Sequence, residues 1–213
     1  MDRRVKGKIL FVLVQLLVLA ALLVWSPWKK KERVYMCVNI EMEQAGDIPI
    51  VNDYLPWDHV RRPGEIRDIM YLTIHETDNW SGTADASAHD AWLHSSTDSP
   101  NSWHYTVDDH CVYHHLPDNE VAWNAGDGRT PHGGNMNGIG IEMCVNEGSD
   151  YEQTLRNTAV LCAQLLHNYG LTVEDIRFHA DFMDKLCPRR LISDGRVEEF
   201  LQMVRDDLAL VEQ

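Results

Sequence analysis

Hydrophobic and polar positions divide the chain into one long apolar run followed by a series of short, alternating ones. Ile9 to Trp25 is apolar except for Gln15. Those 17 residues are about the shortest helix that crosses a hydrocarbon core. Arg3, Arg4, Lys6 and Lys8 precede the run, and Pro27, Lys29, Lys30, Lys31 and Arg33 follow it. A cleaved signal peptide shares this outline but ends at small residues, which Val24-Trp25-Ser26-Pro27-Trp28 does not supply. Trp25 and Trp28 beside lysines suit a membrane interface. The expectation is a single-pass anchor over residues 1–33, with secretion after cleavage as the alternative. The basic residues are nearly balanced across the run and do not set its orientation.

Beyond it the pattern becomes that of a folded domain. Residues 34–68 form an extended, turn-rich approach marked by Pro49, Pro56 and Pro63. Of these, 34–47 read as a linker, and one domain begins at 48. Met70 to His75 reads as a strand. Asp85 can cap a helix running to about His94, with Ala88, Trp92 and Leu93 facing inward. Ser102–Val107 and Cys111–Leu116, separated by the Asp108-Asp109 turn, suggest a hairpin. A glycine-rich loop follows from Asn124 to Gly138, and Ile139 to Val145 reads as a central strand. Ser149 with Glu152 forms a capping box for a helix to about Tyr169, stopped by Gly170. Leu155, Ala159, Cys162, Leu165, Leu166 and Tyr169 recur along it at helical spacing. Ile176–Phe178 is a further strand, and Val197 to about Leu210 a closing amphipathic helix. The fold class this implies is α/β: one domain with a central mixed sheet packed by helices. It has neither a nucleotide-binding glycine loop nor internal repeats.

Charge follows the same division. Residues 1–33 hold eight Lys/Arg against two Asp/Glu, and the remainder 11 against 31. The net charge is therefore +6 for the first segment and −20 for the rest. So acidic a domain disfavours a nucleic-acid partner, because phosphate binding needs a basic footprint. The five cysteines, Cys37, Cys111, Cys144, Cys162 and Cys187, are odd in number and scattered, which is no disulfide framework. Cys144 and Cys162 fall in apolar patterns and read as buried thiols.

Three residues offer chemistry together. His75 closes the run Tyr71–Ile74, His179 follows Ile176–Phe178, and Cys187 comes eight positions later, before Pro188. Two imidazoles and one thiolate make an open zinc site with a fourth position free for water. A closed structural site would want another cysteine near Cys187, and none is there. Glu142 is the polar exception in an apolar strand. If Ile139, Ile141 and Met143 face one way, Glu142 faces the other and could act as a general base. Its bland alternative is a half-exposed edge glutamate. Lys185, two residues before Cys187, could face the same way on an extended segment and stabilise an oxyanion. It could equally be a solvated surface lysine. Of the other histidines, His89 and His94 fall on the first helix, while His110, His114 and His115 belong to the hairpin. His104, in Ser102-Trp103-His104-Tyr105, is the best remaining candidate to line a cleft.

These residues, taken with their neighbours, resemble the zinc-dependent N-acetylmuramoyl-L-alanine amidases of phage endolysins and bacterial autolysins. That family is related in fold to peptidoglycan recognition proteins. The stretches carrying the resemblance are Tyr71–Thr77, Ser102–Asp109, Trp123–Gly128, Ile139–Asn146 and Lys185–Pro188, in order within about residues 48–195. The resemblance implies one zinc ion held by His75, His179 and Cys187, with Glu142 and Lys185 as the catalytic pair. His104, Trp123 and Asn124 are the expected contacts to the substrate. The reaction would be hydrolysis of the amide between N-acetylmuramic acid and the L-alanine of peptidoglycan. The alternative is a non-catalytic wall-binding or sensing module on the same fold. One departure stands out: the family often reads Trp-His-Ala-Gly where this chain has Trp123-Asn124-Ala125-Gly126, which puts the loop's part in substrate choice in doubt. No wall-binding repeat follows the domain in this sequence. The anchor is thus expected to hold a monomeric, extracytoplasmic enzyme at the membrane beside the wall. A third reading is an intracellular amidase that recycles muropeptides.

Overall fold

The computed structural model describes residues 33–95 and 99–213, so the expected anchor over 1–33 lies outside the described residues but for Arg33. Among the described residues no helix is long and apolar enough to cross a membrane. Residues 35–213 form one compact unit around a seven-stranded sheet. The strands are β1 (Gln44–Ala45), β2 (Ile48–Asn52), β3 (Tyr71–Glu76), β4 (Tyr105–Val107), β5 (Val112–His114), β6 (Gly138–Met143) and β7 (Ile176–Phe178). Their spatial order is β1-β2-β5-β4-β6-β3-β7. β1 with β2 and β4 with β5 are antiparallel, while β2–β5, β4–β6, β6–β3 and β3–β7 run parallel. The expected mixed sheet, hairpin and central strand are all present.

The described residues include five α-helices: α1 (Ala86–His94), α2 (Gly134–Asn137), α3 (Tyr151–Tyr169), α4 (Arg189–Ser193) and α5 (Val197–Val211). Leu72, Ile74, Ile139, Ile141, Met143, Tyr105 and Val107 share a buried core with Leu155, Ala159, Cys162, Leu166, Phe200 and Val204 of α3 and α5. A second, smaller cluster joins Leu93, Trp103, Leu116, Leu55 and Ala122. The side chain of Asp85 accepts from the Ala88 N–H at 2.8 Å, capping α1 as the sequence suggests. Its inward face differs from the expected one: Ala86, His89, Asp90 and Leu93 are buried, and Trp92 points outward. α3 is capped by Asp150, whose side chain accepts from Gln153 N–H at 3.0 Å, one residue later than the expected Ser149 box. Gly170 ends α3 at φ 61°, a conformation that glycine adopts without steric cost.

The stretch 34–47, expected to be a linker, is part of the domain from Tyr35 onward. Met36 bridges Ile69, and Tyr35, Met36, Ile40 and Met42 pack against the core. Ala45 of β1 is fully buried. Side chains distant in sequence satisfy the backbone of this stretch: the Ile40 N–H donates to the Tyr169 hydroxyl at 2.9 Å and Asn119 Nδ2 to Cys37 O at 2.9 Å. Tyr169 in turn donates to the buried Asp118 carboxylate at 2.6 Å. All five cysteines are free thiols, with Cys144 and Cys162 buried as expected.

Candidate active site

Parallel pairing of β3 with β6 places His75 beside Glu142 and Thr73 beside Gly140. Aligned residues on paired strands share a face, so His75 and Glu142 emerge together on the side opposite the α3–α5 core. β7 flanks β3 and delivers His179 one residue past its end, in the turn His179–Asp181. The chain then loops back to Cys187, whose carbonyl accepts from Ala180 N–H at 3.1 Å, pinning it beside His179. His75, His179 and Cys187 are all buried, and their ligand atoms lie within 4.8 Å of one another.

The geometry fits a metal. His75 Nδ1 and His179 Nδ1 face each other at 3.0 Å, and Cys187 Sγ lies 4.0 Å from His75 Nδ1. Tetrahedral zinc, with bonds of about 2.0 Å to nitrogen and about 2.3 Å to sulfur, needs ligand atoms roughly 3.3–3.6 Å apart. Burial, then the nearby His179 and the positive Lys185, hold His75 well below the usual histidine range. Burial and Lys185 lower His179 to about 4. Both imidazoles are therefore neutral near pH 7, the form that donates to a metal. Burial and the charge of Glu142 push the Cys187 thiol up to about 12, so a thiolate here needs a nearby cation. A divalent ion between the three residues would supply that charge.

Glu142 Oε1 lies 4.0 Å from His75 Nδ1, and its other oxygen is buried without a protein partner. Burial raises its pKa to about 8, with Lys185 pulling it down and Glu76 pushing it up. A carboxyl group in that range can take and return a proton near neutral pH. Lys185 is exposed and lines the same cavity as Glu142, His179, Trp123 and Asn124, with a volume of about 510 Å³. A second cavity of about 410 Å³ also borders Trp103 and Glu142, together with Thr77, Asn79, Ser81, His89 and Trp92. Both histidine and cysteine candidates, both catalytic candidates, Trp123 and Asn124 thus meet at one place.

His104 does not line the cleft. It is fully buried behind the site, with Nε2 donating to Glu120 O at 2.9 Å and Nδ1 accepting from Gly140 N–H at 3.0 Å. Its neighbour Trp103 forms the wall instead. Trp103 stacks on Trp92 with ring centroids 5.7 Å apart and donates Nε1–H to Thr106 Oγ1 at 2.7 Å. Thr106, His115 and Asp90 continue that chain of hydrogen bonds. The adjacency of a tryptophan and a histidine in the sequence leaves open which faces the cleft; only the pairing of both histidine nitrogens with backbone decides it. The loop carrying Trp123 and Asn124 is held by Asn135, which the sequence reading passed over. Its Oδ1 accepts from Asn124 N–H at 2.9 Å and Ala125 N–H at 2.7 Å. Asn124 lies against Gly140 so closely that a Cβ there would collide with its Nδ2.

Comparison with known proteins bears on this site. A family model described as N-acetylmuramoyl-L-alanine amidase matches residues 65–190. The chain is 37% identical over 145 residues to the amidase XlyA of Bacillus subtilis, covering 68% of this chain and 48% of that protein. It is also 37% identical over 145 residues to the amidase CwlH of the same organism, covering 68% and 57%. The chain therefore spans about half the length of the curated relatives it matches. A solved structure of the XlyA catalytic domain superposes with a TM-score of 0.69 at 35% identity, covering 74% of this chain and 99% of that one.

Proposed function

The chain belongs to the N-acetylmuramoyl-L-alanine amidase family, and we propose from that membership and its site that it hydrolyses the amide joining N-acetylmuramic acid to L-alanine in peptidoglycan. The observation carrying this reading is the convergence of His75, His179 and Cys187, within 4.8 Å, beside Glu142 and a cavity bordered by Lys185. One zinc ion per chain, held by those three residues, would acidify a water molecule and polarise the scissile carbonyl.

The protein groups then divide the work. Glu142, poised near neutrality, accepts the proton that water loses as its oxygen bonds to the amide carbon. Lys185 places an ammonium where negative charge develops on the carbonyl oxygen. Glu142 then returns the proton to the L-alanine nitrogen as the carbon–nitrogen bond breaks, leaving a lactyl carboxylate and a free amine. Trp103 and Trp123 supply apolar walls, and Asn124 a neutral polar contact. We further propose that residues 1–33 tether the domain to the membrane with its site facing the wall, and that the enzyme works as a monomer.

The test uses the purified protein from residue 33 onward. It should contain one zinc and release L-alanine amino termini from peptidoglycan. Glu142→Ala should retain the metal and lose activity by about 10²–10⁴-fold, the range for a positioned proton carrier. Unchanged release by that variant would overturn the mechanism.

A further inference from the structure

Glu76 follows His75 directly, yet its side chain points to the other face of β3, where its neighbours Leu72 and Ile74 are apolar and fully buried. Only 5% of Glu76 is exposed. A carboxylate in such surroundings is destabilising unless it is fully hydrogen-bonded, and an apolar residue would pack there without that cost. Its bonds show where the compensation comes from. Oε2 accepts from Arg190 N–H at 2.7 Å, and Oε1 accepts from Leu191 N–H at 3.1 Å and from the Tyr151 hydroxyl at 2.7 Å. Arg190 and Leu191 stand three and four residues after Cys187, in the first turn of α4. Tyr151 is the first residue of α3, and the Arg190 guanidinium lies 3.9 Å over its ring. The carbonyl oxygen of Glu76 is also 3.9 Å from Cys187 Sγ.

One residue thus joins the strand that carries His75 to the segment that carries Cys187. Cys187 itself lies on a loop, where its carbonyl accepts from the Ala180 N–H. Ligand–metal distances in a well-formed site lie within about 0.2 Å of their ideal values, so a thiolate on a loop needs an anchor near it. We propose that Glu76 is a positioning residue for the metal centre. By gripping the two N–H groups after Cys187 from beneath β3, it fixes the sulfur at the correct distance from His75 and His179. This inference rests on the reading of those three residues as metal ligands.

The experiment compares full-length wild type with Glu76→Gln, whose amide keeps the volume but cannot accept from both N–H groups as a carboxylate does. Zinc affinity is measured by competition with a chromophoric chelator, and cobalt-substituted protein reports the cysteine through its thiolate-to-metal absorption. The expected result is zinc affinity lower by about 10–100-fold, the range for outer-shell partners, with a weakened and shifted thiolate band. Wild-type affinity and an unchanged band in Glu76→Gln, whatever its thermal stability, would overturn the proposal. If Glu76→Gln does not fold, Tyr151→Phe carries the test, since it removes one bond to the same carboxylate and touches nothing at Cys187. It should show a smaller loss of the same sign, and unchanged affinity would overturn the proposal. A wild-type protein that binds no metal would instead remove the ligand assignment, a separate and distinguishable failure.

Discussion

His104 illustrates how one residue's burial governs behaviour far from the reacting atoms. Burial, reinforced by the charge of Arg67, lowers it to about 3. In the unfolded chain it should titrate near 6.5, so between about pH 6.5 and 3 the unfolded state binds the extra proton. Stability is thus complete above pH 6.5 and falls as the solution is acidified through that window. From pH 7 to 5 this imidazole alone should remove about 2 kcal/mol. Urea unfolding of wild type and His104→Gln at both pH values measures it. The variant, less stable at pH 7, should lose less on acidification; an equal loss in both proteins would contradict the assignment. The site histidines show why residue-level reading works where chemistry is unusual and fails where it is ordinary. His75, His179 and Cys187 stand out because a thiolate and two imidazoles at strand ends need a common explanation. His104 sits just before β4, a strand buried on both faces, where polarity does not reveal direction. Glu76 and Asn135 gave no signal, because their roles lie in backbone N–H groups that a sequence does not display.

Among the elements, β3, β6 and α3 were legible because each has a strong period, and the alternation in β6 correctly set Glu142 against Ile141 and Met143. The segment 35–47 was not. Its apolar residues, Tyr35, Met36, Ile40 and Met42, follow neither period, and they are held by partners such as Tyr169 and Asn119 that no local rule connects to them. Because these residues are partly buried, each contributes about half of the 1.5–3 kcal/mol of full burial, or about 3–6 kcal/mol together. A protein beginning at residue 48 should therefore unfold at markedly lower urea concentration than one beginning at residue 33. Equal midpoints would show that the segment behaves as the linker its sequence suggests. The same packing has a consequence for the site. β1 lies at the sheet edge, four strands from β6, so the truncated domain should lose stability before it loses metal affinity.

The whole chain carries two opposite charges, +6 over residues 1–33 and −20 over the rest. The proposed tether would use that division, with the basic, apolar segment drawn to an anionic membrane and the acidic domain repelled from it. The full-length protein should remain with membranes through a high-salt wash that removes electrostatically bound proteins. Recovery in the soluble fraction, with a new N-terminus near Pro27, would support cleavage and secretion instead. The central claim concerns the bond that is cut, and mass spectrometry of peptidoglycan digests tests it most directly. Wild type should yield intact stem peptides with free L-alanine amino termini and glycan strands with unsubstituted lactyl groups, while Cys187→Ala yields neither. Fragments cut within the stem or between sugars, or equal yields from both proteins, would contradict the account.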